Sequence, residues 1–219
     1  MSSQSFVNDL KSLRFENTFN PYSDRCPVHD LLDAPKRRAM VMTVLLERAK
    51  SVEVDAIWIG RDLGHRGGRR TGLALTDDVH YGNHVNRWEI EAQRPTGGNV
   101  MPERTAAIIW NILDQIDANI FLWNVFPLHP YEASNPFTNR QHNAKERRAG
   151  VELLEQLIIL LNPRRIVAIG NDAAEVVARM CLVTPVIKVR HPSYGGQTQF
   201  LEKMRTLYRL DSARQDLLF

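Results

Sequence analysis

Four short, nearly continuous apolar runs constrain this chain more than any other feature: Ala56–Ile59, Ile120–Val125, Arg165–Ile169 and Pro185–Val189. Each is rich in Ile, Val or aromatic residues and ends at Gly, Asn or a polar loop, the pattern of a strand. A half-buried strand alternates apolar with polar; unbroken apolarity predicts strands covered on both faces, as in a parallel sheet. Helical patterns separate the runs, at Ala34–Lys50, Pro102–Ile116, Ala144–Leu161, Asp172–Met180 and Thr198–Leu210. In the third, Val151, Leu154, Leu157, Ile158 and Leu161 recur at helical spacing, and Asn162-Pro163 stops the helix before the next strand. In the fourth, Asp172 and Glu175 have capping-box spacing directly after Gly170. Helix alternating with strand implies crossover connections and predicts an α/β fold, a three-layer αβα sandwich. No internal repeat or linker interrupts the sequence, so a single domain over residues 1–219 is expected, with its core at about 34–210 and only the first few and the last ten or so residues loose.

Composition adds exclusions. A hydrophobic fraction of 43% and a charged fraction of 24% are those of a globular domain rather than a disordered chain. The net charge of +3 is too small by itself to identify a nucleic-acid partner. Its basic residues nevertheless cluster, with Arg61, Arg66, Arg69 and Arg70 in one Gly-rich stretch and Arg25, Lys36, Arg37 and Arg38 in another. Taken singly, either cluster reads as a solvated basic surface. Two cysteines, Cys26 and Cys181, build neither a disulfide framework nor a cysteine-rich metal site. The first residues lack the apolar run of a signal peptide, and no segment has the apolar length of a membrane span. A reducing, cytoplasmic setting without membrane attachment is expected.

In open parallel sheets ligands bind outside the carboxyl ends of the strands, so the residues after each run carry the functional information. The first run leads into Gly60-Arg61-Asp62-Leu63-Gly64-His65-Arg66-Gly67-Gly68-Arg69-Arg70-Thr71-Gly72. Its glycines permit close approach of a ligand and its arginines suit phosphate, but it is neither GxGxxG nor a P-loop, which disfavours dinucleotide or ATP binding. Asn124 near the end of the second run supplies both a donor and an acceptor, either for local backbone or for the edge of a base. His129 and His142 lack metal-ligand spacing, and no metal is expected. The fourth run ends at Arg190-His191-Pro192-Ser193-Tyr194-Gly195-Gly196. Asp62, Asn124 and His191 thus stand at three strand ends and are expected to converge on one pocket, with no nucleophile elbow competing for it.

With these residues placed, the stretch from about 56 to 196 resembles the uracil-DNA glycosylase superfamily. Gly60-Arg61-Asp62-Leu63-Gly64 stands where the uracil-specific branch has Gly-Gln-Asp-Pro-Tyr, and His191-Pro192-Ser193 matches that family's second motif without substitution. The resemblance implies an αβα sandwich around a four-stranded parallel sheet and a monofunctional DNA glycosylase of base excision repair, whose chemistry requires neither a metal nor an organic cofactor; oligomeric state is left open, with a monomer the default. It implies Asp62 and His191 as catalytic residues. It further implies Gly60, Arg61, Gly64, Leu75 and Asn124 around a base flipped out of DNA, and Arg66, Arg69, Arg70, Ser193, Tyr194 and Gly195 against the DNA strand.

The sequence departs from the uracil-specific branch at three places. Gly64 replaces the tyrosine that excludes the thymine methyl, Leu75 replaces a stacking phenylalanine, and Gly195 replaces the leucine that fills the vacated stack. The chain also has fewer cysteines than the iron–sulfur branch requires, so no cluster is expected. These departures indicate a divergent branch. They leave open a catalytically weak lesion- or nucleic-acid-binding module with the same fold; a third reading is an enzyme acting on a free nucleoside or nucleotide, for which the Arg-rich loop would hold a single phosphate.

Overall fold

Strands form where the apolar runs stand. The computed structural model describes residues 1–193 and 195–210. Its elements are α1 (Ser3–Ser12), β1 (Thr18–Phe19), α2 (Ala34–Lys50), β2 (Ala56–Asp62), α3 (Gly68–Thr71), α4 (Tyr81–Arg87), α5 (Arg104–Leu113), β3 (Ile120–Phe126), β4 (His129–Pro130), α6 (Ala144–Leu161), β5 (Arg165–Ile169), α7 (Asn171–Arg179), β6 (Val186–Val189) and α8 (Gln197–Tyr208). The main sheet has the order β3-β2-β5-β6, with every pair parallel.

Successive strand residues point to opposite faces, which builds two cores from one sheet. Ile57, Ile59, Phe121, Trp123, Ile166 and Ala168 face a core closed by α1, α2, α6 and α7. Trp58, Ile120, Leu122, Val167 and Ile169 face a second core closed by α5 and α8. This is the three-layer sandwich that the apolar runs predict. β6, at one edge of the sheet, is its exception: Val186 is 40% exposed, whereas β3 at the other edge is buried throughout, so continuous apolarity in β6 does not mean cover on both faces.

Two local expectations are corrected. The first residues are not loose: Ser2 caps α1 by accepting the Ser5 N–H at 3.0 Å, and Phe6, Val7 and Leu10 are buried. Asp172 and Glu175 form no capping box, because Gly170 is the N-cap of α7 and Asp172 turns instead to Arg61. The capping box lies at α6, where the Asn143 side chain accepts from Lys145 and Glu146 N–H groups and Glu146 accepts the Asn143 N–H at 2.7 Å. It fixes the chain immediately after His142.

Two buried histidines give the fold an acid limit. His84, at 2% exposure, contacts Thr76 Oγ1 at 2.8 Å and packs on Trp110; His129 is fully buried beside Arg69. Burial, reinforced by Arg87 at His84 and Arg69 at His129, holds both pKa values down to about 3. The folded protein therefore keeps both rings neutral while the unfolded chain takes up protons below about pH 6.5. Their stabilisation is complete above that pH and is lost progressively towards about pH 3, by about 2 kcal/mol per histidine at pH 5. Urea titrations at neutral pH and at about pH 5 measure the loss, and a His84→Gln variant should show a shallower pH dependence.

Candidate active site

The first half of the site is the end of β2. Gly60 pairs in register with Asn124 of β3, and Asp62 with Phe126, so the last residues of both strands lie side by side. Asp62 is the final residue of the strand, which gives its carboxylate a rigid base. Its side chain is 6% exposed and both oxygens are held: Oδ1 by His142 Nδ1, Oδ2 by Arg61 Nε at 2.6 Å. With Asp62 ionised, His142 Nδ1 must carry the proton of that bond. Arg61 reaches on to Asp172 at 3.1 Å, tying β2 to the first turn of α7. Burial would lower the Arg61 pKa, but Asp62 and Asp172 outweigh it and raise it.

The second half comes from the turn after β6. His191 Nδ1 accepts the Ser193 N–H at 3.1 Å, so a neutral ring carries its hydrogen on Nε2. Burial, with the charges of Arg61 and Arg190, holds the His191 pKa below the ordinary histidine value despite Asp172. Ser193 Oγ in turn meets Thr105 Oγ1 at 3.1 Å and anchors the turn to α5. Gly170 lies under His191 with φ +94, where a Cβ would come within 3.3 Å of the His191 Cβ.

A cavity of about 490 Å3 opens between the two halves, and Gly60, Asp62, Gly64, Leu75 and His191 all line it. Ligand pockets for small molecules have this size. A carboxylate on one wall and a neutral imidazole donor on another let such a pocket stabilise positive charge at one point and negative charge at a second. A model of the uracil DNA glycosylase superfamily matches residues 50–211. The chain belongs to that superfamily. No curated protein sequence matches the chain. Its fold is similar to the crystal structure of wild-type SMUG2 from Pedobacter heparinus, with TM-score 0.66 and 13% identity over 95% of this chain and 97% of that one.

Within this superfamily fold the sequence-predicted residues divide into groups. Gly60, Arg61, Gly64 and Leu75 share the cavity with Asp62 and His191. Leu75 sits at φ +54, its carbonyl held by Trp110 Nε1 at 3.2 Å. Asn124 is 1% exposed and does not line the cavity; it lies behind Gly60, where a Cβ would collide with its Oδ1. Neither of its amide atoms has a hydrogen-bond partner among the described residues. Leaving such a buried group unpaired costs about 1 to 3 kcal/mol, a cost that a bound partner would remove. Trp58 and Phe126 are fully buried in the two cores, so neither ring is open to stack on a base in place of the phenylalanine that Leu75 replaces.

Among the residues expected against DNA, Arg69 and Arg70 require correction. Arg69 is 4% exposed, lies over the Phe19 ring at 3.8 Å and contacts His129 Nδ1 at 3.1 Å. Arg70, at 6% exposure, pairs with buried Asp78 at 2.6 Å. Arg38, from the other basic cluster, is equally internal: it pairs with Asp30 and gives its Nε–H to the Arg70 carbonyl at 2.8 Å. Inward charge of this kind is paired or stacked on rings, and it is out of reach of a phosphate. Arg66 is exposed, and Ser193 lines the cavity. Gly195 is exposed at φ +77 with open space around it. Tyr194 lies outside the described residues. His129 and His142 do not share a metal site: His129 Nε2 faces the Thr138 carbonyl at 2.8 Å while His142 faces Asp62.

Two site residues escaped sequence reasoning. His142 is placed by the capping box that follows it, Asn143-x-x-Glu146, a signal present in the sequence. Glu103, at the start of α5, lines the cavity with no motif to mark it. Burial and then the Asp77 charge push its pKa up to about 7 against the opposing Arg66.

Proposed function

We propose that this protein is a DNA glycosylase that hydrolyses the N-glycosidic bond of uracil or a related damaged base in DNA. The observation that carries the reading is the pairing, in one cavity, of the Asp62 carboxylate with a His191 ring whose hydrogen is directed to Nε2. As the base departs, positive charge develops on the sugar and negative charge on the base. Asp62 stabilises the sugar cation and orients the water that attacks C1′, and the proton this water loses ends on the departing base anion. The pair of electrons of the broken bond leaves with the base, whose oxygen accepts a hydrogen bond from His191 Nε2–H. The Asn124 amide hydrogen-bonds the edge of the flipped base past Gly60, which has no side chain to screen it. Arg66, Ser193 and the open backbone at Gly195 hold the DNA strand. The chemistry as drawn requires no metal or organic cofactor.

A second reading, a lesion-binding module with weak catalysis, is favoured by the two bonds that already occupy the oxygens of Asp62. One experiment separates them. Purified protein is incubated with duplex and single-stranded oligonucleotides carrying uracil, hypoxanthine, xanthine or a thymine mismatch, followed by alkaline cleavage of abasic sites, with His191→Ala as control. Breaks that appear with a lesion and vanish in the control establish the glycosylase; lesion-dependent binding without breaks establishes the module.

A further inference from the structure

The cavity contains an ionisable group that the proposed chemistry leaves unused. The Glu103 carboxyl fills the space beside two glycines: a Cβ on Gly64 would lie 2.7 Å from its Oε1, and one on Gly67 would overlap its Oε2. The wall that a side chain at position 64 would otherwise form is therefore formed by Glu103. Its backbone is fixed, since Asp77 Oδ2 accepts the Glu103 N–H at 2.6 Å while Asp77 Oδ1 is held by His80 Nδ1 at 2.6 Å. Among the described residues nothing hydrogen-bonds to either Glu103 side-chain oxygen, although both stand at a polar pocket.

We infer that Glu103 is a specificity-determining residue of this site: its protonated carboxyl donates a hydrogen bond to a carbonyl oxygen of the base held in the cavity. The inference rests on the base-excision reading above. Asp77, from the segment before α4, disfavours the charged form, whereas Arg66, from the loop after β2, favours it; Arg104, the next residue along α5, is exposed. With its pKa pushed up to about 7, the group exists in both forms near neutrality. A carboxylic acid offers one donor, whereas a carboxylate offers only acceptors. The acid therefore suits bases that carry a carbonyl where the parent base has an amino group, that is, products of deamination. The carboxylate repels that oxygen.

The test is the pH dependence of kcat/KM for uracil-containing oligonucleotide in the wild type, Glu103→Gln and Glu103→Ala, between about pH 6 and pH 9. The wild type is expected to lose activity above neutrality, approaching about tenfold per pH unit. Glu103→Gln, which keeps a donor at every pH, should lose that alkaline fall. Glu103→Ala, which has neither the donor nor a group to titrate, should be about tenfold slower than the wild type below neutrality and should lack the alkaline fall. An alkaline fall that persists unchanged in Glu103→Gln, or a wild-type profile without one, overturns the inference while leaving the glycosylase reading intact. Absence of excision from any substrate overturns the glycosylase reading instead. Calorimetric titration with free uracil base then decides the role of Glu103 alone. Binding that is stronger at about pH 6 than at about pH 8.5, and pH-independent in Glu103→Gln, supports the inference; equal binding at both, or none, overturns it.

Discussion

Asp62→Asn lowers single-turnover excision by about a thousandfold or more while leaving binding of the lesion strand largely intact. The negative charge that opposes the sugar cation is removed, and neither other carboxyl of the cavity replaces it: Asp172 is bound to Arg61, and Glu103 lies against Gly64 and Gly67 with its pKa pushed up to about 7. The substitution also disturbs the local bonding. A carboxylate accepts from both His142 and Arg61, whereas an amide places its NH2 against one of two donors. His142 can yield by moving its proton to Nε2, but Arg61 cannot, so the amide oxygen should turn to Arg61. Rates within about fivefold of the wild type would remove Asp62 from the proposed chemistry and favour the binding module. Urea denaturation of the variant guards against reading a folding defect as a catalytic one.

Gly150→Ala is the substitution expected to damage the fold most for its size. Gly150 lies in the first half of α6, where the helix crosses β3 so closely that a Cβ would overlap the Val125 carbonyl oxygen and stand 3.1 Å from the Phe126 Cα. Both obstacles are backbone, and the strand that carries them is fully buried, so neither can swing aside as a side-chain tip would. Helix propensity favours alanine, by about 1 kcal/mol. Overpacking against a buried strand outweighs it, giving a net loss of about 2 kcal/mol or more. The shift should extend to the site, because Phe126 pairs with Asp62 and packs against His142 at 6.1 Å between ring centroids. A urea midpoint equal to or above that of the wild type would show that α6 can back away from β3 without cost.

The parts of this fold legible in the sequence are those specified locally. Ala56–Ile59 and Ile120–Val125 announce themselves because a strand buried on both faces tolerates almost no polar residue, and the first polar side chains after the former run, Arg61 and Asp62, line the cavity. Asn162-Pro163 and the Asn143-x-x-Glu146 box bracket α6 to the residue. Where tertiary contact decides, local pattern fails. α1 carries only three buried apolar side chains, and what orders it is the packing of Phe6 on Trp123, 117 positions further along the chain, with ring centroids 5.6 Å apart. Arg69 and Arg70 look like solvated cations until Phe19, His129 and Asp78 are folded over them. Glu103 has no periodicity or motif at all, and only the meeting of α5 with the Gly64–Gly67 loop gives it a place.

The inward arginines bear on how this protein would meet a polyanion. Arg38, Arg69 and Arg70 are committed to Asp30, to the Phe19 ring with His129, and to Asp78, so a basic sequence pI of about 9.0 overstates the cationic face offered at the cavity mouth. A strand docking there would release condensed counterions against the exposed arginines that remain, Arg66, Arg104 and Arg190 among them, and not against the inward three. The salt dependence of association would therefore be shallower than a count of all the cations in the two basic clusters suggests.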